Sequence, residues 1–149
     1  MVGIMKQLLY VSHTERALDQ WELNGILSVS RWNNARTGIT GLLVAMDGGF
    51  LQLLEGEHPA VTRVFERIRV DTRHWNMRIL GEREGHRLFP DWTMGFVQPH
   101  LAAPETEGLH HIGKQVIMDR LSPGSVPALV AMFRAYYHIS SDAGLKLAA

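Results

Sequence analysis

No cysteine occurs anywhere in the chain, so disulfide frameworks, thiolate metal sites and cysteine nucleophiles are excluded together. Excess charge is missing too. Fifteen Lys and Arg stand against fifteen Asp and Glu, leaving no basic field of the kind that draws a protein to nucleic acid or an anionic membrane. The longest apolar stretch, Ile39 to Met46, is interrupted by Thr40 and Gly41 and falls well short of the roughly 20 residues needed to span a bilayer. There is no Walker loop, no G-x-S-x-G and no Rossmann glycine fingerprint. The expectation is a cytoplasmic protein whose 149 residues form one compact unit without nucleic-acid or membrane partners.

Hydrophobic patterning places the elements. Residues 6–12 are apolar and aromatic and read as a strand, with Leu8, Tyr10 and Ser12 on one face. Asp19 is an N-cap for a helix whose apolar positions, Leu23, Ile26 and Leu27, continue to Asn34, putting an amide on the buried stripe. Arg36-Thr-Gly38 ends it. Residues 39–46 and 50–55 flank Asp47-Gly48-Gly49 as a hairpin. His58-Pro59 opens a second helix with Val61, Val64, Phe65 and Ile68 on its stripe, running to about Asp71. Two further strands are expected over 77–84 and 91–97.

The order βαββαββ implies an α+β, ferredoxin-like mixed sheet with both crossover helices on one face. In that topology strands one and three are neighbours, so Tyr10 and Gln52 lie side by side. Beyond Pro99 two short helices are expected, with stripes Leu109/Ile112/Val116/Leu121 and Val126/Leu129/Val130/Phe133/Tyr137. They are expected to cap the opposite face, over Leu9, Val11, Leu51 and Leu53. This divides the chain into a ligand-binding portion, 1–98, and a helical cap and tail, 99–149, within one structural unit.

Three polar side chains, Tyr10, Gln52 and Asn34, then point into one apolar interior. A buried amide or hydroxyl without a partner costs about 1–3 kcal/mol, so these three either satisfy one another or receive a polar ligand. A metal site is not expected. His110 and His111 are adjacent and point about 100° apart on a helix, unlike an i, i+4 ligand pair.

Taken in order, Tyr10-Val-Ser12, Asn33-Asn34-Ala-Arg-Thr-Gly-Ile-Thr-Gly41-Leu-Leu, Phe50-Leu-Gln52-Leu-Leu-Glu-Gly56, Asp71-Thr-Arg73-His74 and Phe89-Pro-Asp-Trp92-Thr-Met94-Gly resemble the BLUF domains, blue-light sensors using FAD. The resemblance covers about residues 5–98. It implies an isoalloxazine ring between the two crossover helices, bound non-covalently as FAD, with FMN and riboflavin as substitutes. Tyr10 matches the photoactive tyrosine and Gln52 the glutamine between it and the ring. Asn34 matches the asparagine at the ring's pyrimidine end; Asp71, Arg73 and His74 match contacts to the ribityl chain and phosphates. Ser12, Ile26 and Asn33 complete the implied cofactor-binding set, although an Ile on an apolar stripe also suits plain core. Trp92 and Met94 match residues that exchange places beside the glutamine during signalling, and core packing would account for them equally well.

The resemblance further implies electron and proton transfer from tyrosine to flavin, a rearranged glutamine and no net reaction, hence a sensor and not an enzyme. Output is expected to reach a separate protein or to change self-association in a homo-oligomer. Two rivals are a small hydrolase of the acylphosphatase type, which shares the frame but wants a glycine-rich loop where His13-Thr-Glu-Arg-Ala-Leu-Asp19 stands, and a light-insensitive scaffold.

Overall fold

The computed structural model describes residues 4–46 and 48–97. Their elements are β1 (Met5–His13), α1 (Gln20–Thr37), β2 (Thr40–Met46), β3 (Gly49–Gly56), α2 (His58–Arg69), β4 (Trp75–Gly85) and β5 (Gly95–Val97). The two C-terminal helices expected beyond Pro99 lie outside the described residues, and so does Asp47 in the β2–β3 turn.

The sheet runs β4-β1-β3-β2-β5. Its first four strands have the antiparallel ferredoxin-like order, and β5 adds parallel to β2, pairing Leu42 with Gly95 and Leu43 with Phe96. At the centre the β1–β3 register sets Tyr10 opposite Gln52 and Leu8 opposite Leu54. Side chains alternate across a strand, so Tyr10, Gln52, Leu54 and Leu43 share the face that carries both helices. On the other face Gln7, Leu9, Val11, Leu51, Leu53 and Glu55 are all buried.

Local chemistry explains the boundaries of α1. Asp19 Oδ1 accepts the Glu22 N–H at 2.8 Å and Glu22 Oε1 accepts the Asp19 N–H at 3.2 Å, a reciprocal capping box. The Arg16 guanidinium, and then the Asp19 N–H, hold the Glu22 carboxyl down to about 2. Because that value is depressed, the contribution is present above the ordinary carboxylate range and is lost as pH falls through about 2. Gly38 ends the helix at φ 72°, a left-handed conformation in which a side chain is strained. Asp19→Ala is expected to cost about 1 kcal/mol and lower Tm by about 2–4 °C in a thermal melt followed by circular dichroism. An unchanged Tm would show that the cap carries no weight here.

Gly41 is required for a different reason. At φ 153° a Cβ would be driven into the Leu53 carbonyl, so β2 can approach β3 there only without a side chain. In α2, Pro59 sits in the first turn, where its missing N–H costs nothing, and Ala60, Val61 and Val64 are buried. The helix stops at Arg69, two residues earlier than expected, because the chain turns: the Asp71 N–H bonds Ile68 O, and Asp71 Oδ1 accepts the Arg73 N–H.

The last strand is also shorter than the expected 91–97. Residues 91–94 lie outside the strand, because the carbonyls of 92–94 are claimed by other elements. Trp92 O accepts the Gly41 N–H, Thr93 O accepts Asn34 Nδ2, and Met94 O accepts Arg31 Nε. A ladder can form only after these side-chain and edge contacts end. Among the described residues no helix is long and apolar enough to cross a membrane.

Candidate functional site

Between α1 and α2, over the centre of the sheet, lies a cavity of about 230 Å³. Its floor is Tyr10, Leu43, Phe50, Gln52 and Leu54. One wall is the α1 face Gly25, Ile26, Val29, Ser30, Asn33 and Asn34, and the other is Val64, Arg67 and Ile68 of α2. Asp71, Arg73 and His74 close one end. The central β1–β3 register and the helical spacing of Ile26, Asn33 and Asn34 bring these distant segments together.

A hydrogen-bonded chain crosses the floor. The buried Tyr10 hydroxyl donates to Gln52 Oε1 in a short bond, and Gln52 Nε2 donates to Met94 Sδ at 3.3 Å. Burial pushes the Tyr10 phenol well above its ordinary value, and the negative charge of Asp71 adds to the shift. The ring is held edge-on by Phe65 at 6.1 Å and His74 at 6.4 Å.

The remaining residues divide by position. Asn34 is buried on the cavity wall, and its Nδ2 reaches Thr93 O at 2.7 Å. Asp71 and Arg73 form a two-point ion pair at the cavity end, Nη2 to Oδ2 at 2.5 Å and Nε to Oδ1 at 3.0 Å. That hydrogen-bonded guanidinium holds the Asp71 carboxyl below the usual range. His74 Nε2 contacts Ile68 O and Nδ1 contacts Ser12 Oγ, both at 2.7 Å. A carbonyl only accepts, so Nε2 carries a proton, and Nδ1 exchanges a hydrogen bond with the Ser12 hydroxyl.

Thus Tyr10, Ile26, Asn33, Asn34, Gln52, Asp71, Arg73 and His74 line one cavity. Ser12 is absent from its walls; fully buried, it orients His74 from behind. Trp92 also stands outside, half-buried and stacked on Phe89 at 5.1 Å and 13°. Met94 is buried and meets Gln52 from the β5 side.

Sequence reasoning overlooked Arg67 on the cavity wall and Arg31, which ties α1 to Met94 O. Arg67 follows Val64 by three positions on α2, so the periodicity that found the apolar stripe could have found its charged flank. It gave no such signal for Arg31, which bonds a backbone carbonyl far along the chain.

A flat heteroaromatic ring with one apolar edge and one edge of carbonyls and N–H groups suits this donor set. Aliphatic walls face each other, with amides and a phenol at the floor and wall and two guanidiniums at the rim for phosphate. The residues present fit a flavin nucleotide. Among the described residues no cluster of three or more His, Asp or Glu could hold a metal ion.

Known proteins agree with this chemistry. Residues 5–95 match the family model for BLUF, described as sensors of blue-light using FAD. Photoactivated adenylate cyclase subunit beta of Euglena gracilis is 34% identical over 89 residues, which cover 58% of this chain and 10% of that protein. The chain therefore spans about a tenth of the curated relative's length. Among solved structures, BlrB, a BLUF protein in its dark state, superposes with TM-score 0.63 at 27% identity, covering 80% of this chain and 99% of that one. A bacterial light-regulated adenylyl cyclase gives TM-score 0.63 at 34% identity, covering 77% of this chain and 34% of that one.

Proposed function

Because this chain belongs to the BLUF family, sensors of blue light using FAD, we propose that Tyr10 and Gln52 form its light-driven relay and that the protein transmits a signal without catalysing a net reaction. The observation that carries this reading is the hydrogen-bonded chain that runs from Tyr10 and Gln52 on the cavity floor to Met94 beside it. A flavin held between Asn34, Asn33 and the floor pair Tyr10 and Gln52 would supply blue-light absorption and, when excited, an electron acceptor. The roles of the protein follow from its own groups.

Burial keeps the Tyr10 proton on its oxygen at any ordinary pH, so it does not leave by simple ionisation. Loss of an electron makes a phenol strongly acidic, and the hydrogen bond already aims that proton at Gln52 Oε1. Return of that proton along the same bond would restore the Tyr10 phenol, so no net reaction is required of the protein. Gln52 presents a donor and an acceptor on one rotatable amide, so it can come to rest with its partners exchanged. Asn34 and Asn33 orient the ring, Arg73 and Arg67 hold phosphate, and Asp71 fixes the Arg73 fork in place. The ring and its ribityl chain suffice for the floor contacts, so FMN or riboflavin would load in place of FAD where the host supplies them.

Two of the named relatives are adenylate cyclases that are photoactivated or light-regulated, and this chain matches a tenth of one and about a third of the other. Output here passes to a separate cytoplasmic protein or through a change in self-association, by way of Trp92, Met94 and the segment that follows them. The purified protein is expected to be yellow, with flavin bands that move to longer wavelength under blue light and return in darkness. A colourless protein that takes up no FAD on reconstitution would overturn the proposal.

A further inference from the structure

Strand β3 carries a second polar residue on its other face. Glu55 follows Gln52 by three positions, so it points away from the cavity, and it is completely buried. Its Oε2 accepts Gln7 Nε2 at 2.5 Å and the Leu88 N–H at 2.6 Å; its Oε1 accepts the Phe89 N–H at 2.9 Å. A buried carboxyl that takes two consecutive backbone N–H groups from a loop fixes that loop in position. Here the loop leads directly to Trp92 and Met94.

Phe89 is the link. Its ring is fully buried and stacks on Trp92, and its carbonyl accepts the Trp92 N–H at 3.3 Å. Past Trp92 the chain is tied to Gly41, Asn34 and Arg31, and Met94 Sδ meets Gln52. Segment 88–94 is therefore anchored at one end on Glu55 and at the other on Gln52, two residues of one strand. For the Trp92 ring to reach Gln52 it must leave the Phe89 ring, or Phe89 must leave Glu55. The second alternative strands a carboxyl oxygen in a place water does not enter.

We propose that Glu55 is a positioning residue: by fixing Phe89 it holds Trp92 away from Gln52 and leaves Met94 as the neighbour of the switching amide. This rests on the reading of Gln52 as that amide. Glu55→Gln keeps size and burial, but it replaces one acceptor oxygen by an NH2 group. One of the two loop N–H groups then loses its partner.

The test uses the FAD-loaded protein labelled with 5-fluorotryptophan, the Trp92 resonance being assigned with Trp92→Phe. In Glu55→Gln, exchange of the Leu88 and Phe89 amides in darkness should rise about tenfold, a loss of about 1.4 kcal/mol. A second Trp92 resonance should appear, flavin content should stay unchanged, and dark recovery after illumination should change by about fivefold or more. Phe89→Leu, which keeps the Glu55 bonds but removes the stack, should also split the Trp92 resonance, and it decides the matter if Glu55→Gln does not fold. A single unshifted Trp92 resonance in folded Glu55→Gln overturns the proposal, as does one in Phe89→Leu. So does an equal splitting in Asp19→Ala, since general loosening would then explain the effect. A wild-type protein without any light response overturns the sensing reading, while the dark Trp92 resonance still judges the Glu55 anchor.

Discussion

Tyr10→Phe is expected to leave a folded, flavin-loaded protein in which blue light no longer produces any reversible spectral shift. Phenylalanine keeps the ring against Phe65 and His74 and the burial of the site, and removes only the hydroxyl that donates to Gln52. The relay then has neither its proton nor its donor to Gln52 Oε1, so the loss should be complete and not partial. The measurement is a light-minus-dark absorption spectrum at matched flavin content. A shift of wild-type size would assign the electron to another ring, with half-buried Trp92 ahead of Trp32, which is 67% exposed. The same substitution has a pH signature. The folded protein holds the phenolic proton more tightly than the unfolded chain, whose tyrosines titrate at about 10. That stabilisation is full below about pH 10 and declines as the pH rises beyond it. Tyr10→Phe should lack this alkaline decline in urea melts run across pH 9 to 11.

Gln52→Leu should also abolish the shift, and it should cost stability as well. Leucine fills a similar volume, but it leaves the Tyr10 hydroxyl without its acceptor in a site that is 4% exposed at position 52. The expected penalty is about 1–3 kcal/mol in denaturant unfolding, against a smaller one for Tyr10→Phe, which strands only an amide oxygen. Flavin should be retained, because Asn34, the aliphatic walls and the rim arginines are untouched. Retention of the shift in Gln52→Leu would mean that the amide is not the group that rearranges.

The parts legible in the sequence are those set by short-range rules. The capping residue Asp19, the terminating Gly38, the strand–strand neighbours and the Tyr10–Gln52 pairing follow from spacing, turn chemistry and topology. So does the burial of Asn34, an amide in phase with Leu23 and Leu27. What patterning does not reach depends on partners far along the chain. Apolar alternation over 91–97 suggested a full strand, but the carbonyls of Trp92, Thr93 and Met94 are satisfied by Gly41, Asn34 and Arg31, so only Gly95–Val97 pairs. Ser12 has the phase of a cavity residue yet bonds His74, because the turn after α2 drops that imidazole onto it. The anchoring role of Glu55 is not legible in the sequence. Its partners are a glutamine on a neighbouring strand and two backbone N–H groups, which no side-chain motif can announce.

The double position of Asn34 has a thermodynamic consequence. One side of its amide serves the cavity and the other tethers Thr93, just before β5. A ligand that orders this amide from the cavity side is expected to strengthen the docking of β5, and through this contact the coupling is reciprocal: freeing Thr93 from Asn34 should weaken ligand affinity by the factor by which the ligand secures that bond. Loading the cavity and securing the end of the sheet are thus linked through Asn34, alongside the Gln52–Met94 contact.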